Sequence, residues 1–232
     1  MDVRNHTENT EIAEFLERLV HDMREPLRSV GAFTELLAEN IADPRSEDAA
    51  RALNEIPAGV SRMAKLLEGL SGYAVALRET AECDSPASLQ SAFRIVLAEF
   101  DKEIQNCGAR VTAEDLPKAN VSLERLMQLL RHLIGNSLRF RSEASPVIHI
   151  SASMDAPGIW TLRVADNGIG IPPEERQRVF MPFVRLAGKK YGGVGLGLTI
   201  AKRIAEAHGG TIRMEAAPAG GCVCVLTLPE AD

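Results

Sequence analysis

The sequence predicts an α domain followed by an α/β domain: an antiparallel helical hairpin that forms a dimeric four-helix bundle, then an α/β sandwich with a mixed sheet. Before residue 83, glycine and proline are sparse and apolar residues repeat at helical spacing. After it, short apolar strands alternate with turns and helices. A chain of 232 residues has room for two such domains. We therefore divide it into residues 1–82 and 83–232.

The composition excludes several classes of protein. The net charge of −6 at pH 7 disfavours binding to nucleic acid. No uncharged apolar run approaches the roughly 20 residues of a spanning helix, and the N-terminus has no apolar signal core. We expect a cytoplasmic chain with no direct membrane contact in this segment. The four cysteines do not resemble a disulfide framework. Cys222 and Cys224 should pack in the core, since alternate residues of a strand face one way.

The first long helix is predicted from an apolar stripe at heptad positions a, d and e, the wide kind that helical bundles use. Pro26 lies within this pattern and should bend the helix. The stripe consists of Leu16, Met23, Val30 and Leu37 at a, Ile12, Leu19 and Phe33 at d, and Val20, Leu27 and Ile41 at e.

The second long helix is predicted from seven apolar residues spaced four and three apart, as in a coiled-coil seam. They are Ile56, Val60, Met63, Leu67, Leu70, Ala74 and Leu77. Residues 42–48 are predicted to form the turn between the two helices. Two amphipathic helices of this length cannot bury both stripes against each other, so we predict a homodimer that closes a four-helix bundle.

His21 lies at heptad position f of the first helix, the position farthest from the apolar stripe. Asp22 follows it directly, and Pro26 comes five residues later. A single histidine on a polar helix face is most often a surface residue without a function. These residues alone therefore leave the role of His21 open.

The second half of the chain follows a linker at about residues 78–86. Helices are predicted at 88–105 and 123–140, the latter with Ser122 as its N-cap. Since the strands that follow are joined by tight turns, the sheet should be mixed, with helices on one face. The strands are predicted at 147–153, 159–165, 211–216 and 223–228.

Two polar segments interrupt these elements. The first is Asn136 with Arg139, inside an otherwise apolar helix, where a solvent-facing asparagine is an equally good interpretation. The second is the segment 166–171, DNGIGI, directly after a strand. Its glycines allow the backbone to approach a flat ligand, and the Asp166 carboxylate can accept a hydrogen bond from a base amino group. Turns often have this pattern, so the segment alone is a weak signal.

A third segment, residues 192–198, is rich in glycine and leads into a helix predicted at 199–208. Backbone N–H groups at a helix N-terminus favour bound phosphate. The segment is not a Walker A loop, because no Gly-Lys-Ser/Thr ends it. Nor does its GxGxG spacing match the Rossmann fingerprint.

In their order and spacing, these motifs resemble those of bacterial sensor histidine kinases. In that family a dimerisation and histidine-phosphotransfer domain precedes a catalytic ATP-binding domain with the Bergerat (GHKL) fold. The similarity covers residues 10–229, and the Glu-Pro-Leu ending of the H box is most similar to kinases of the phytochrome-associated group. The boxes are HDMREPL at 21–27 (H), HLIGNSLRF at 132–140 (N), DNGIGI at 166–171 (G1), VFMPFVRL at 179–186 (F) and GGVGLGLTI at 192–200 (G2).

The resemblance implies a two-component enzyme that uses ATP and Mg²⁺ to phosphorylate its own histidine and passes the phosphate to an aspartate of a response regulator. It implies that His21 is the phosphoacceptor, that Asp22 polarises it, that Asn136 coordinates Mg²⁺ and that Arg139 contacts phosphate. Phe180 and Phe183 would anchor the lid or pack in the core. The other ATP-binding residues implied are Asp166, Gly168 and Gly170 around adenine, Lys189 and Lys190 near the phosphates, and Gly193, Gly195, Gly197 and Leu198 in the lid.

Three departures from the family pattern matter. Glu25 stands four residues after His21, where kinases that also dephosphorylate their partner usually carry Thr, Asn or Gln, so we expect weak phosphatase activity. His132 stands where many N boxes have Asn, and Ser122 replaces an Asp often found before that helix. Only about ten residues precede the first stripe, which fits either part of a longer kinase or a short kinase regulated by a partner.

Two other classes compete with this interpretation. ATPases of the same fold that hydrolyse ATP carry a glutamate four residues before Asn136, and His132 stands there instead. A catalytically silent dimeric scaffold is the other alternative, and the presence of His21, Asn136 and Asp166 together argues against it. Whether phosphate moves within one subunit or between two is not encoded in the sequence.

Overall fold

The computed structural model describes residues 2–39, 46–77, 86–186, 191–218 and 220–231, with the side chains from residue 19 onward. The chain divides into two compact units, residues 1–71 and 72–232, and each is described by itself. In the described residues no helix is long and apolar enough to cross a membrane.

Two long helices are present, as predicted: α1 (Asp2–Glu39) lies in the first unit, and so does α2 (Glu47–Leu77) except for its last six residues. The Ser46 hydroxyl accepts a hydrogen bond from the backbone N–H of Ala49 at 3.1 Å and caps α2. The helix therefore begins inside the predicted turn at 42–48, of which residues 42–45 lie outside the described part.

The two helices approach each other closely at Gly59. A Cβ atom built at this position would lie 2.5 Å from Val30 Cγ2 and 3.5 Å from the carbonyl oxygen of Pro26. Pro26 lies inside α1 and is buried. Glycine is therefore required where the helices cross.

The buried face of α2 differs from the predicted seam. The residues buried within the chain include Ala52, Gly59 and Leu66, whereas Val60 and Leu67 of the seam are about half exposed. One apolar stripe of the hairpin is therefore buried within the chain, and a second apolar stripe is exposed to solvent. The outward stripe consists of Leu53, Val60 and Leu67 on α2, with Val20 and Leu27 exposed on α1.

The second unit is a layer of helices on a mixed sheet, as predicted. The sheet has five strands, β2 (Arg110–Ala113), β4 (Val147–Ala156), β5 (Ile159–Asp166), β6 (Ile212–Ala216) and β7 (Cys222–Pro229). They lie in the order β2-β4-β5-β7-β6. Strands β2 and β4 are parallel, and the other pairs are antiparallel. Two further short strands, β1 (Ala87–Ser88) and β3 (Lys118–Ala119), pair separately with each other. The helices are α3 (Leu89–Glu99), α4 (Asp101–Cys107), α5 (Leu123–Arg139) and α6 (Gly197–Ala207).

The core lies between this sheet and α5 and α6. Alternate residues of β4, β5 and β7 supply one side, and the apolar stripes of the helices supply the other. Cys224 is buried among them, as predicted. The fully buried residues include Ile148, Ile150, Leu162, Leu130, Ile134, Ile200 and Ile204.

Several boundaries differ from the prediction. The single helix predicted at 88–105 is divided at Phe100, whose ring would lie 3.2 Å from a Cβ at Gly135 of α5. Ser88 caps α3 by accepting from Ser91 N–H at 3.2 Å. Ser122 occupies the N-cap position of α5, but its side chain makes no capping hydrogen bond. Helix α6 begins at Gly197, two residues before the predicted start.

Candidate active site

His21 is exposed on α1, with a side chain 80% accessible to solvent. Its Nδ1 atom lies 3.2 Å from Asp22 Oδ1. When Nδ1 carries the proton, it donates to this carboxylate, and the lone pair of the ring is then on Nε2. The predicted histidine and carboxylate are therefore neighbours in a geometry that suits a nucleophilic imidazole.

Asp166 ends β5, and its carboxylate accepts hydrogen bonds from four donors. Oδ1 accepts from the backbone N–H of Gly168 at 2.9 Å and of Cys222 at 3.2 Å. Oδ2 accepts from the hydroxyl of Ser137 at 3.1 Å and from the thiol of Cys222 at 3.2 Å. The side chain is thereby fixed between α5 and β7.

The turn after Asp166 is held against the end of α5. The backbone N–H of Ile169 donates to the Phe140 carbonyl at 3.0 Å. A Cβ atom at Gly168 would collide with the same carbonyl oxygen, and one at Gly170 would lie 3.3 Å from the Gly221 carbonyl oxygen. These two predicted glycines therefore allow three backbone segments to meet.

Helix α5 brings the N-box residues to the same place. Asn136 is half-buried, and Arg139 is exposed in the last turn of the helix. Between them, Ser137 is buried and contacts Asp166. The predicted amide and guanidinium therefore lie on the helix that also positions the predicted adenine carboxylate.

The glycine-rich segment packs against both the N box and the F box. A Cβ at Gly193 would lie 2.6 Å from the guanidinium of Arg139. Gly195 has a φ of +78°, and its carbonyl accepts from Phe183 N–H at 2.9 Å. Gly197 and Leu198 form the first turn of α6. The structure thus brings the N, G1, F and G2 boxes together in one unit.

His132 lies beneath the start of α6. Its Nδ1 atom would be 3.1 Å from a Cβ at Gly197. Burial, followed by the charges of Arg131 and Arg139, lowers the pKa of His132 to about 4, so the ring is neutral at pH 7. His132 Nε2 and the hydroxyl of Thr199 are both buried without a hydrogen-bond partner in the described part of the chain.

The sequence missed two residues of this site, Ser137 and Cys222. Ser137 follows Asn136 directly. This position next to the predicted Mg²⁺ ligand is the sequence feature that could have identified Ser137. Cys222 was expected only to pack in the core. It is half-buried and donates both its backbone N–H and its thiol to Asp166.

The remaining predicted residues divide into two groups. Phe180 and Phe183 are buried, and Phe183 has a positive φ of 60°. Lys189 and Lys190 lie outside the described residues.

Within the ranges that the structure describes, no group of three or more His, Cys, Asp or Glu side chains is arranged to hold a metal ion.

The first unit carries a histidine beside a carboxylate on an exposed helix, and the second unit brings Asp166 together with several closely packed glycines. Two family models match. Residues 11–74 match the His Kinase A (phospho-acceptor) domain, and residues 122–232 match the histidine kinase-, DNA gyrase B- and HSP90-like ATPase.

Known proteins agree with these matches. Cyanobacterial phytochrome A of Nostoc is 34% identical over 228 residues, which cover 95% of this chain and 29% of that protein. ShkA, solved with AMPPNP, is 25% identical with a TM-score of 0.64, covering 93% of this chain and 46% of that one. ThkA shares the fold at 21% identity, with a TM-score of 0.74 over 97% of this chain and 64% of that one.

The chain belongs to the histidine kinase family. It has the two helices that the phospho-acceptor domain model matches and the mixed sheet that the ATPase domain model matches. It spans less than a third of the length of the phytochromes that it matches.

Proposed function

We propose that this segment phosphorylates its own His21 with ATP and passes the phosphate to an aspartate of a response regulator. The observation that carries the proposal is the contact of His21 with Asp22 on an exposed helix, in a chain whose second unit brings the N, G1 and G2 boxes together. In the reaction, a ring nitrogen of His21 bonds to the γ-phosphorus, the bond to the β–γ bridging oxygen breaks, and ADP leaves. Asp22 would hold the ring and stabilise its positive charge.

The nucleotide site fits ATP in this proposal. Asp166 would accept the amino group of adenine, with Gly168 and Gly170 shaping the pocket. Backbone N–H groups at the start of α6 and the guanidinium of Arg139 would contact the phosphates. Gly193, Gly195, Gly197 and Leu198 would form the lid. Lys189 and Lys190 are proposed as further phosphate contacts from the sequence alone.

The site also fits Mg²⁺. This ion prefers oxygen ligands and retains water and phosphate oxygens, so one protein amide is sufficient. The half-buried amide of Asn136 would supply that oxygen, and the described residues hold no cluster that would compete for the ion. Bound Mg²⁺ would neutralise phosphate charge.

The proposed partners are a second copy of this chain and a response regulator. The outward apolar stripe supports the homodimer, since an exposed stripe of this kind is expected to be buried in a bundle. ThkA was solved in complex with the response regulator TrrA. We also place this segment in the cytoplasm, where ATP is available. The boundary between domains at residues 82 and 83 stays a proposal.

Incubation with γ-labelled ATP and Mg²⁺ tests the proposal. We expect a label on the protein that is lost in acid, stable in alkali and absent from the His21→Ala variant. Binding of ATP by that variant should be unchanged, because Asp166 and the glycine segment lie in the second unit. A label that persists in His21→Ala would contradict the assignment of the phosphoacceptor. Binding of ATP without any label would favour the silent scaffold.

A further inference from the structure

Four donor groups lie around the Asp166 carboxylate. An ionised carboxylate offers about four lone-pair positions to donors. Gly168 and Cys222 supply two backbone N–H groups to Oδ1, and Ser137 and Cys222 supply a hydroxyl and a thiol to Oδ2. A base amino group can therefore form a full hydrogen bond only where one of these donors gives way.

The two oxygens differ in how easily they exchange a donor. The N–H groups on Oδ1 belong to the turn after β5 and to the start of β7, so they withdraw only if the backbone moves. On Oδ2, the Ser137 hydroxyl has one proton and a second acceptor, the Leu133 carbonyl at 3.2 Å. The thiol of Cys222 is a weak donor. Oδ2 is therefore the oxygen that can accept a ligand.

We propose that Cys222 is a specificity-determining residue for the nucleotide base: its backbone N–H fixes Asp166, and its thiol occupies Oδ2 only until the amino group of adenine replaces it. This inference rests on the proposed function, in which Asp166 recognises adenine. A thiol satisfies the carboxylate in the absence of nucleotide and yields to a stronger N–H donor. A hydroxyl at the same position would compete with the base.

The surroundings of Cys222 keep its sulfur in the donor form. Burial, and then the negative charge of Asp166, raise the pKa of the Cys222 thiol, so it stays protonated at neutral pH. Cys222 is half-buried, and its sulfur contacts Asp166 Oδ2 directly. Cys224 lies two residues further along β7 and is fully enclosed in the core. Of these two cysteines, Cys222 is therefore the one placed to respond to the base.

The experiment compares Cys222→Ser and Cys222→Ala with the wild-type chain. Dissociation constants are measured by calorimetry for ATP and for purine riboside triphosphate, which lacks the exocyclic amino group. The quantity of interest is the preference for ATP over this analogue. Cys107→Ser is the matched control, because Cys107 is a half-buried thiol that donates to the carbonyl of Ile104 on its own helix.

We expect Cys222→Ser to reduce the preference for ATP by roughly threefold to tenfold, since a hydroxyl binds a carboxylate more strongly than a thiol does. Cys222→Ala should keep the preference or raise it, because Oδ2 then has an open position. Cys107→Ser should match the wild type. Thermal unfolding of each variant checks that it is folded.

Three results would overturn the inference. Equal preference in the wild type and both Cys222 variants would remove Cys222 from base recognition and leave the proposed function intact. An equal loss of preference in Ser and Ala variants would make the thiol a structural requirement and not an exchangeable donor. A wild-type chain that does not distinguish the two nucleotides, together with unchanged binding in Asp166→Asn, would contradict the proposed role of Asp166 itself.

Discussion

At the scale of single residues, His132 gives the second unit a predicted dependence on pH. The folded chain lowers the pKa of this histidine to about 4 from an ordinary value of 6.5. The unfolded chain therefore binds a proton between these values and the folded chain does not, so stability falls as the pH is lowered from about 6.5 to 4. We expect His132 to account for a loss of about 2–3 kcal/mol over this range.

The His132→Asn variant isolates this contribution. Asparagine does not titrate, so its free energy of unfolding should fall less steeply with decreasing pH than that of the wild type. Urea titrations at pH 7, 5.5 and 4 measure the difference. Gly158→Asn is the control, because a side chain at this turn meets no atom within 4 Å and the change neither adds nor removes a titratable group. Parallel curves for wild type and His132→Asn would show that His132 does not titrate as its burial implies.

The sequence indicated Asp166 as a candidate site residue but did not indicate the groups that contact it. Asp166 was identified because it follows a strand and precedes two glycines. Its donors could not be predicted in the same way, since Ser137 and Cys222 lie 29 and 56 residues away along the chain. Their contact with Asp166 depends on the side-by-side alignment of β5 and β7 and on the packing of α5. The residues next to Asp166 in the sequence carry no information about this strand alignment or about the packing of α5.

At the scale of elements, Gly168 is the residue at which the turn after β5 packs against the end of α5. A methyl group at this position would collide with the carbonyl oxygen of Phe140. We expect Gly168→Ala to lower the free energy of unfolding by about 1–3 kcal/mol, as overpacking does, and to weaken ATP binding because Asp166 shifts with the turn. Urea unfolding and calorimetry measure the two effects.

Gly31→Ala is the matched control for this change. Gly31 lies inside α1, and a methyl group there meets no atom within 4 Å. The variant should be stabilised by about 0.5–1 kcal/mol, because alanine loses less backbone entropy in a helix. If Gly168→Ala were also neutral or stabilising, the turn and α5 would not be coupled in the way the structure indicates.

The elements found from sequence are those with a strong local period. The two long helices were predicted as elements, and α5 and the two strand pairs of the main sheet were predicted close to their observed bounds. The parallel strand β2 was missed, because four residues with alternating exposure give almost no pattern. The division of one predicted helix at Phe100 was missed as well. At this point Phe100 lies close to Gly135 of α5, a neighbour that is distant in the sequence.

For the chain as a whole, we expect Glu25 to disfavour removal of phosphate from a phosphorylated response regulator. It is exposed one turn after His21, where a neutral polar side chain would orient a water toward a phosphorylated partner. A carboxylate at this position repels the phosphoryl group and the attacking hydroxide. We expect Glu25→Thr to raise the rate at which a phosphorylated response regulator loses its label, while autophosphorylation continues. Rapid loss of label with the wild-type chain would contradict this prediction, and the exposed Arg28→Thr is the control.

The outward stripe of the first unit argues that the functional molecule is a dimer. Leu53, Val60 and Leu67 are spaced by seven residues and are 57%, 50% and 52% exposed, so each chain leaves a continuous apolar row uncovered. Burying such a row against a second copy stabilises both chains at about 25 cal/mol per Å² of apolar surface. We expect the wild-type chain to be a dimer and Leu67→Glu to be a monomer by light scattering. Lys65→Glu changes the charge of an exposed residue on another side of α2 and should leave the dimer intact. A wild-type monomer at micromolar concentration would exclude the four-helix bundle, and with it any transfer of phosphate between subunits.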